Sequence, residues 1–179
     1  DEAATALKDA IKTGGSLVLI TEAASDPSTV AKSVKWLKEH EFSDYVTIDS
    51  ALSESERRTK TIAAIDAASA VWIGGGQQAK LAKSFEDGSV ESALQRLLLR
   101  GGTVGGTSAG AAIMSKVMIA SGASEPTLAH GWDMLPGAIV DQHFGQRGRI
   151  TRLQTAVAQH PECFGMGIDE KTAVFVKGR

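Results

Sequence analysis

Short apolar runs that end in glycine or polar turns alternate along the chain with longer stretches whose apolar residues recur every three or four positions. The first pattern predicts buried strands and the second predicts amphipathic helices. Read this way, the chain has a helix over residues 3–13, a strand over 16–21 (Ser-Leu-Val-Leu-Ile-Thr), and a helix over 28–40 with Val30, Val34 and Leu37 at helical spacing. A strand over 45–48 and a helix over 53–68 follow, then a strand over 70–73 that runs into Gly74-Gly75-Gly76-Gln77-Gln78. A helix over 89–100 leads to a strand through Thr103 and Val104, and later apolar runs predict a strand at Ile139-Val140 and another over 173–176. The segment from Ser121 to Trp132 carries no clear period and reads as irregular, His130 included. Strands alternating with helices imply an α/β protein with a mostly parallel central sheet and helices on both faces. Ligands of such sheets sit at the carboxyl ends of strands, where the turns at Gly74–Gly76 and Gly105–Gly110 are expected to line one pocket.

The second of those turns carries candidate chemistry. Gly106-Thr107-Ser108-Ala109-Gly110 fits G-x-S-x-G between a strand and a helix. In that pattern glycines permit a strained corner that exposes the serine hydroxyl and leaves the next backbone N–H, here that of Ala109, to face an oxyanion. A plain glycine-rich connection would have the same composition, so partners for Ser108 decide the matter. The triple glycine lacks the phosphate-cradling patterns G-x-x-x-x-G-K-S/T and G-x-G-x-x-G with a following acid. Backbone exposure is the better use: an N–H at Gly76 together with that of Ala109 makes a two-donor oxyanion hole.

A serine nucleophile needs a base, and the base needs a third group to hold its tautomer. Of four histidines, His40 and His160 lie near predicted helix ends and His130 in the irregular stretch. His143 stands apart, because an apolar strand gives way there to Asp141, Gln142, His143, Gln146, Arg147, Arg149 and Arg152. Downstream, Gly167-Ile168-Asp169-Glu170-Lys171 supplies two acids, and from the residues alone either is able to orient a histidine. The arginines offer rigid donors for carboxylates and Asp141 a partner for a guanidinium or amine. The competing reading of the arginines is a solvated basic helix face, on which Arg149 and Arg152, three apart, share a side.

Composition narrows the classes. At 179 residues and 42% hydrophobic content the chain holds one sizeable core, so a single domain over 1–179 is expected. Nineteen Lys and Arg against 21 Asp and Glu leave a net charge of −2, with no overall field to recruit nucleic acid or an anionic membrane. One cysteine, Cys163, excludes an intrachain disulfide framework and a multi-cysteine zinc site. No apolar run reaches the roughly 18 to 20 residues of a membrane-spanning helix, and Asp1-Glu2-Ala3 lacks a leader-like layout. A cytoplasmic location is expected, with secretion left open because a cleaved leader leaves no trace.

Three blocks in order, GGTSAGAAIMS from Gly105, DQHFGQRGRITRL from Asp141 and GIDEKTAV from Gly167, resemble the cyanophycinase branch of the peptidase E-like serine peptidases. With Gly74-Gly75-Gly76-Gln77 the resemblance runs from about Ser16 to Val176. It implies a three-layer α/β sandwich like that of class I glutamine amidotransferases, with Ser108 as nucleophile, His143 as general base and Glu170 as third member. It implies Gln77, Asp141, Gln142, Arg147, Arg149 and Arg152 as substrate-binding residues, no cofactor or metal, and a homodimer. The implied reaction is release of β-aspartyl-arginine dipeptides from cyanophycin, an arginine-decorated polyaspartate. Alternatives are an aspartyl or isoaspartyl dipeptidase and a non-catalytic binding protein of the same fold. Gly76 stands where many members carry an acid, and the family's first strand and the strands after Val176 are expected to be missing.

Overall fold

The computed structural model describes residues 2–12, 14–48 and 50–178; Thr13, the predicted end of the first helix, lies outside the described residues. The chain forms two compact units, one up to Gly110 and the other from Ala111.

The first unit is built on a four-stranded, wholly parallel sheet. Its strands are β1 (Leu17–Ile20), β2 (Tyr45–Thr47), β3 (Ala70–Ile73) and β4 (Thr103–Gly106), in the order β2-β1-β3-β4. Every residue of β1 and β3 is buried, which is why both read as unbroken apolar runs: a central parallel strand is covered on both faces. Alternation sends Leu17, Leu19, Ala70 and Trp72 to one face, where they meet Leu7 of α1 (Glu2–Ile11), Leu37 of α2 (Pro27–Glu39) and Phe42. Trp36 stacks on Trp72 there, with ring centroids 4.7 Å apart. Val18, Ile20, Val71 and Ile73 point to the opposite face. Helices α3 (Glu54–Ala67) and α5 (Ser89–Leu99) pack on each other and against β1 and β4, burying Ile65, Leu94 and Leu97. The short α4 (Gln78–Ser84), absent from the sequence reading, follows the triple glycine.

Two helix starts are fixed by side chains. Ser53 and Glu56 form a reciprocal capping box at α3, and Asp26 caps α2 by accepting from Thr29 N at 3.0 Å and Ser28 Oγ at 2.6 Å. The Ser28 bond above all, then the Thr29 backbone bond, holds the Asp26 carboxyl well below its ordinary value. A depressed folded-state value means stabilisation that is complete above the unfolded value, about 3.9, and lost as pH falls below it. Relative to wild type, Asp26→Ala is therefore expected to lower Tm at neutral pH, with the deficit shrinking in thermal melts taken below about pH 4. A deficit unchanged across that range would show that the charge of the cap contributes nothing.

The second unit begins with α6 (Ala109–Ala112, which starts in the first unit) and a hairpin of β5 (Val117–Ser121) and β6 (Thr127–His130). The hairpin corrects the irregular reading of 121–132: β6 pairs His130 with Val117, but its Thr-Leu-Ala-His sequence carries no alternation that would announce a strand. Next come β7 (Ala138–Gln142), α7 (Ile150–Gln159) and β8 (Phe164–Ile168), with β8 parallel to β7. Ile119, Ile139, Leu153 and Ala156 form the core of this unit, with Phe144 and Val157 packed against it. The strand expected over 173–176 is not formed. The pairing partner of β7 lies earlier, in Phe-Gly-Met-Gly-Ile, and Val174, Phe175 and Val176 are exposed. Among the described residues no helix is long and apolar enough to cross a membrane.

Candidate active site

The elbow in the first unit is set by how closely β4 returns to β3. Thr107 N donates to Ile73 O at 3.0 Å, and Gly110 N donates to Thr107 O at 2.9 Å, which closes the turn around Ser108. A Cβ on Gly110 would lie 2.1 Å from Ile73 O, so only glycine lets the chain pass the end of β3. Ser108 takes φ of 53°, left-handed backbone that a residue with a side chain adopts at a cost. It is half-buried, and Ala109, the next residue, is buried as α6 begins.

The triple glycine forms the wall beside it. Gly74 N donates to Ile20 O and Gln77 N to Ala23 O, tying the turn after β3 to the turn after β1. Gly76, at φ of 137°, presses on Ala23: a Cβ there would lie 2.1 Å from Ala23 O. Gly75 faces the serine, since a Cβ on it would lie 3.3 Å from Ser108 Cβ. Sequence reasoning singled out Gly76 and passed over Gly75. A run of identical residues carries no sign of which one abuts the serine. Gln77 is exposed at the start of α4.

The second unit assembles the histidine. His143 follows the buried strand β7, also at left-handed φ, 51°, and its Nδ1 lies 2.8 Å from Glu170 Oε1. A carboxylate only accepts, so Nδ1 carries the proton and, in the neutral ring, Nε2 keeps the lone pair a base needs. Of the two acids left open by the residues, Glu170 is the one paired with His143. Asp169 Oδ1 instead accepts from Gly145 N at 2.7 Å.

Beneath His143 lies a buried charge cluster. Asp141, 1% exposed, accepts from Arg152 Nε at 2.8 Å, from Arg152 Nη2 in a short bond, and from Arg149 Nη1 at 3.2 Å. Arg152 also donates through Nη1 to Gly122 O at 2.7 Å, and Arg149 donates to Gln142 O. Arg152 is 4% exposed, so a solvated basic face does not describe it. Burial first, then the charge of Arg152, pulls the Arg149 guanidinium below its ordinary value. Gln142 is buried, and its Oε1 has no hydrogen-bond partner among the described residues. A cavity of about 300 Å³ opens above the cluster, lined by Gly122, Ser124, exposed Arg147, Arg149 and Arg152 among others. Its described lining contains three guanidinium groups and no carboxylate, a wall suited to an anionic group.

Ser108, Gly76, Gln77 and Ala109 thus belong to the first unit; Asp141, Gln142, His143, Arg147, Arg149, Arg152 and Glu170 belong to the second. The family model for peptidase family S51 matches residues 2–179. The cyanophycinase of Trichormus variabilis is 36% identical over 170 residues, covering 89% of this chain and 57% of that protein. The cyanophycinase of Geminocystis herdmanii is 43% identical over 122 residues, covering 63% of this chain and 45% of that one. The chain therefore spans about half the length of the curated relatives it matches. Among solved structures, a peptidase from an acI-B1 Actinobacterium superposes with a TM-score of 0.69 at 17% identity, over 93% of this chain and 72% of that one. A putative peptidase E protein from Listeria monocytogenes gives 0.59 at 13% identity, over 86% and 78%. At those identities the superpositions speak to the α/β fold.

Proposed function

The chain belongs to peptidase family S51, and from that premise we propose that it is a serine peptidase cutting the aspartyl backbone of a polyaspartate that carries isopeptide-linked arginine, through Ser108, His143 and Glu170. The observation that carries this reading is the 2.8 Å bond between His143 Nδ1 and Glu170 Oε1, which leaves Nε2 to act as base. In the proposed reaction His143 Nε2 takes the Ser108 proton as Oγ bonds to the α-carbonyl carbon of a backbone aspartyl residue. The amide of Ala109 and one from the triple glycine, where Gly75 rather than Gly76 faces Ser108, receive the oxyanion. Collapse breaks the C–N bond, and His143 returns the proton to the departing amine. Water then gives a proton to His143 and attacks the acyl group. Release of the product acid restores the Ser108 hydroxyl.

The substrate of this reading is cyanophycin, cut to β-aspartyl-arginine dipeptides. The relatives named cyanophycinase support it, as does the guanidinium-lined cavity, whose Arg147 and Arg149 would take substrate carboxylates. Gln142, Arg152 and Gln77 complete the proposed binding set, and a homodimer is the expected assembly. Asp141, buried and held by Arg149 and Arg152, acts on substrate only through those arginines, which corrects its expected direct contact. Chromatographic assay of purified cyanophycin and of α-aspartyl dipeptides decides between substrates. Dipeptide release from the polymer alone is expected. Cleavage confined to the small dipeptides would replace cyanophycinase by aspartyl dipeptidase, and cleavage of neither would remove the reading.

A further inference from the structure

The His143–Glu170 pair stands on two connections that leave adjacent parallel strands. Backbone pairing of β7 with β8 ends at Gln142 opposite Ile168, one residue short of His143. Cross-links nevertheless continue. Phe144 N donates to Ile168 O at 3.1 Å, Gly145 N donates to Asp169 Oδ1 at 2.7 Å, and Glu170 N donates to Gln146 Oε1 at 3.0 Å. The last two are reciprocal: a side chain from each connection accepts a backbone N–H of the other. Where the ladder runs out, two side-chain oxygens stand in for the missing carbonyls.

Two features of the pair create a need for such bracing. His143 sits at left-handed φ, which persists in a residue with a Cβ only where the surroundings over-determine it. Glu170 is half exposed at its side chain, and a bond from a mobile, solvated carboxylate contributes little order by itself. The geometry points to Asp169 as a positioning residue, with Gln146 its counterpart: by accepting the Gly145 N–H it holds the His143 connection against the Glu170 connection, so that Nδ1 and Oε1 meet. Asp169 acts here through an oxygen acceptor, so its negative charge is dispensable. This inference rests on the proposed roles of Ser108, His143 and Glu170.

The test compares Asp169→Ala with Asp169→Asn, whose amide oxygen still accepts from Gly145 N. The readouts are the rate at which a fluorophosphonate probe labels Ser108 and the downfield proton resonance of the His143 Nδ1–H in the free protein. Asp169→Ala is expected to slow labelling roughly ten- to hundredfold, the scale of an ångström-sized misplacement, and to lose the resonance. Asp169→Asn is expected to stay near wild type in both. Wild-type labelling and resonance in Asp169→Ala would overturn the inference, as would an asparagine variant as impaired as alanine. If Asp169→Ala does not fold, Gln146→Ala against Gln146→Glu poses the same contrast from the other side. Failure of wild-type protein to label at Ser108 would remove the catalytic reading instead, while the resonance, which needs no turnover, still judges the brace.

Discussion

Ser108→Ala is expected to lower peptide release by roughly four to six orders of magnitude, the range seen when a serine nucleophile is removed, with little change in Tm. The loss is large because, in the proposed mechanism, an alanine at this corner leaves His143 no hydroxyl proton to take. Stability is expected to hold because alanine keeps the Cβ and the same left-handed backbone at φ of 53°. Dipeptide release and thermal unfolding measured on the same preparation check both halves. Turnover near wild type in the variant would remove Ser108 from the mechanism.

Gly110→Ala is expected to act in the opposite register, on the fold first. Its Cβ would lie 2.1 Å from Ile73 O, 2.7 Å from Ile73 C and 2.9 Å from Ile73 Cβ, all in the buried strand β3. None of these atoms is the free end of a flexible side chain, so relief requires the elbow to move off the sheet edge. Forced overpacking of a buried site costs about 3 kcal/mol or somewhat more, which for a chain of this size lowers Tm by roughly 6 to 12 °C. The elbow that moves carries Ser108, so labelling by a fluorophosphonate should fall alongside Tm. A variant with wild-type melting and labelling would mean that the close passage at Ile73 does not define the elbow.

What was legible beforehand follows from how each element meets solvent. The strands β1 and β3 announce themselves because burial on both faces demands apolar residues at every position. The strand β8 does not, since Gly165 and Gly167 interrupt its run and the better apolar string at Val174 to Val176 lacks a strand partner among the described residues. The hairpin strand β6 and the seven residues of α4 are too short for a period to emerge. At the site, Ser108 and His143 were recognisable from their immediate neighbours. The choice between Asp169 and Glu170 came from the family resemblance alone, because adjacent residues in a turn point apart and no local pattern says which one meets His143. The pairing of Asp141 with two arginines was also out of reach of spacing alone. It joins β7 to the start of α7 and to the hairpin turn at Gly122 across stretches of chain whose paths no local pattern fixes.

With the roles proposed for Ser108 and His143, their left-handed backbone sets durability against turnover at two points of one chain. At each, the residue best suited to the dihedral angles is glycine, which has no chemistry to offer, so selection for thermal robustness alone would erode both. Stabilised variants obtained from a library without an activity screen should therefore be inspected first at these two positions.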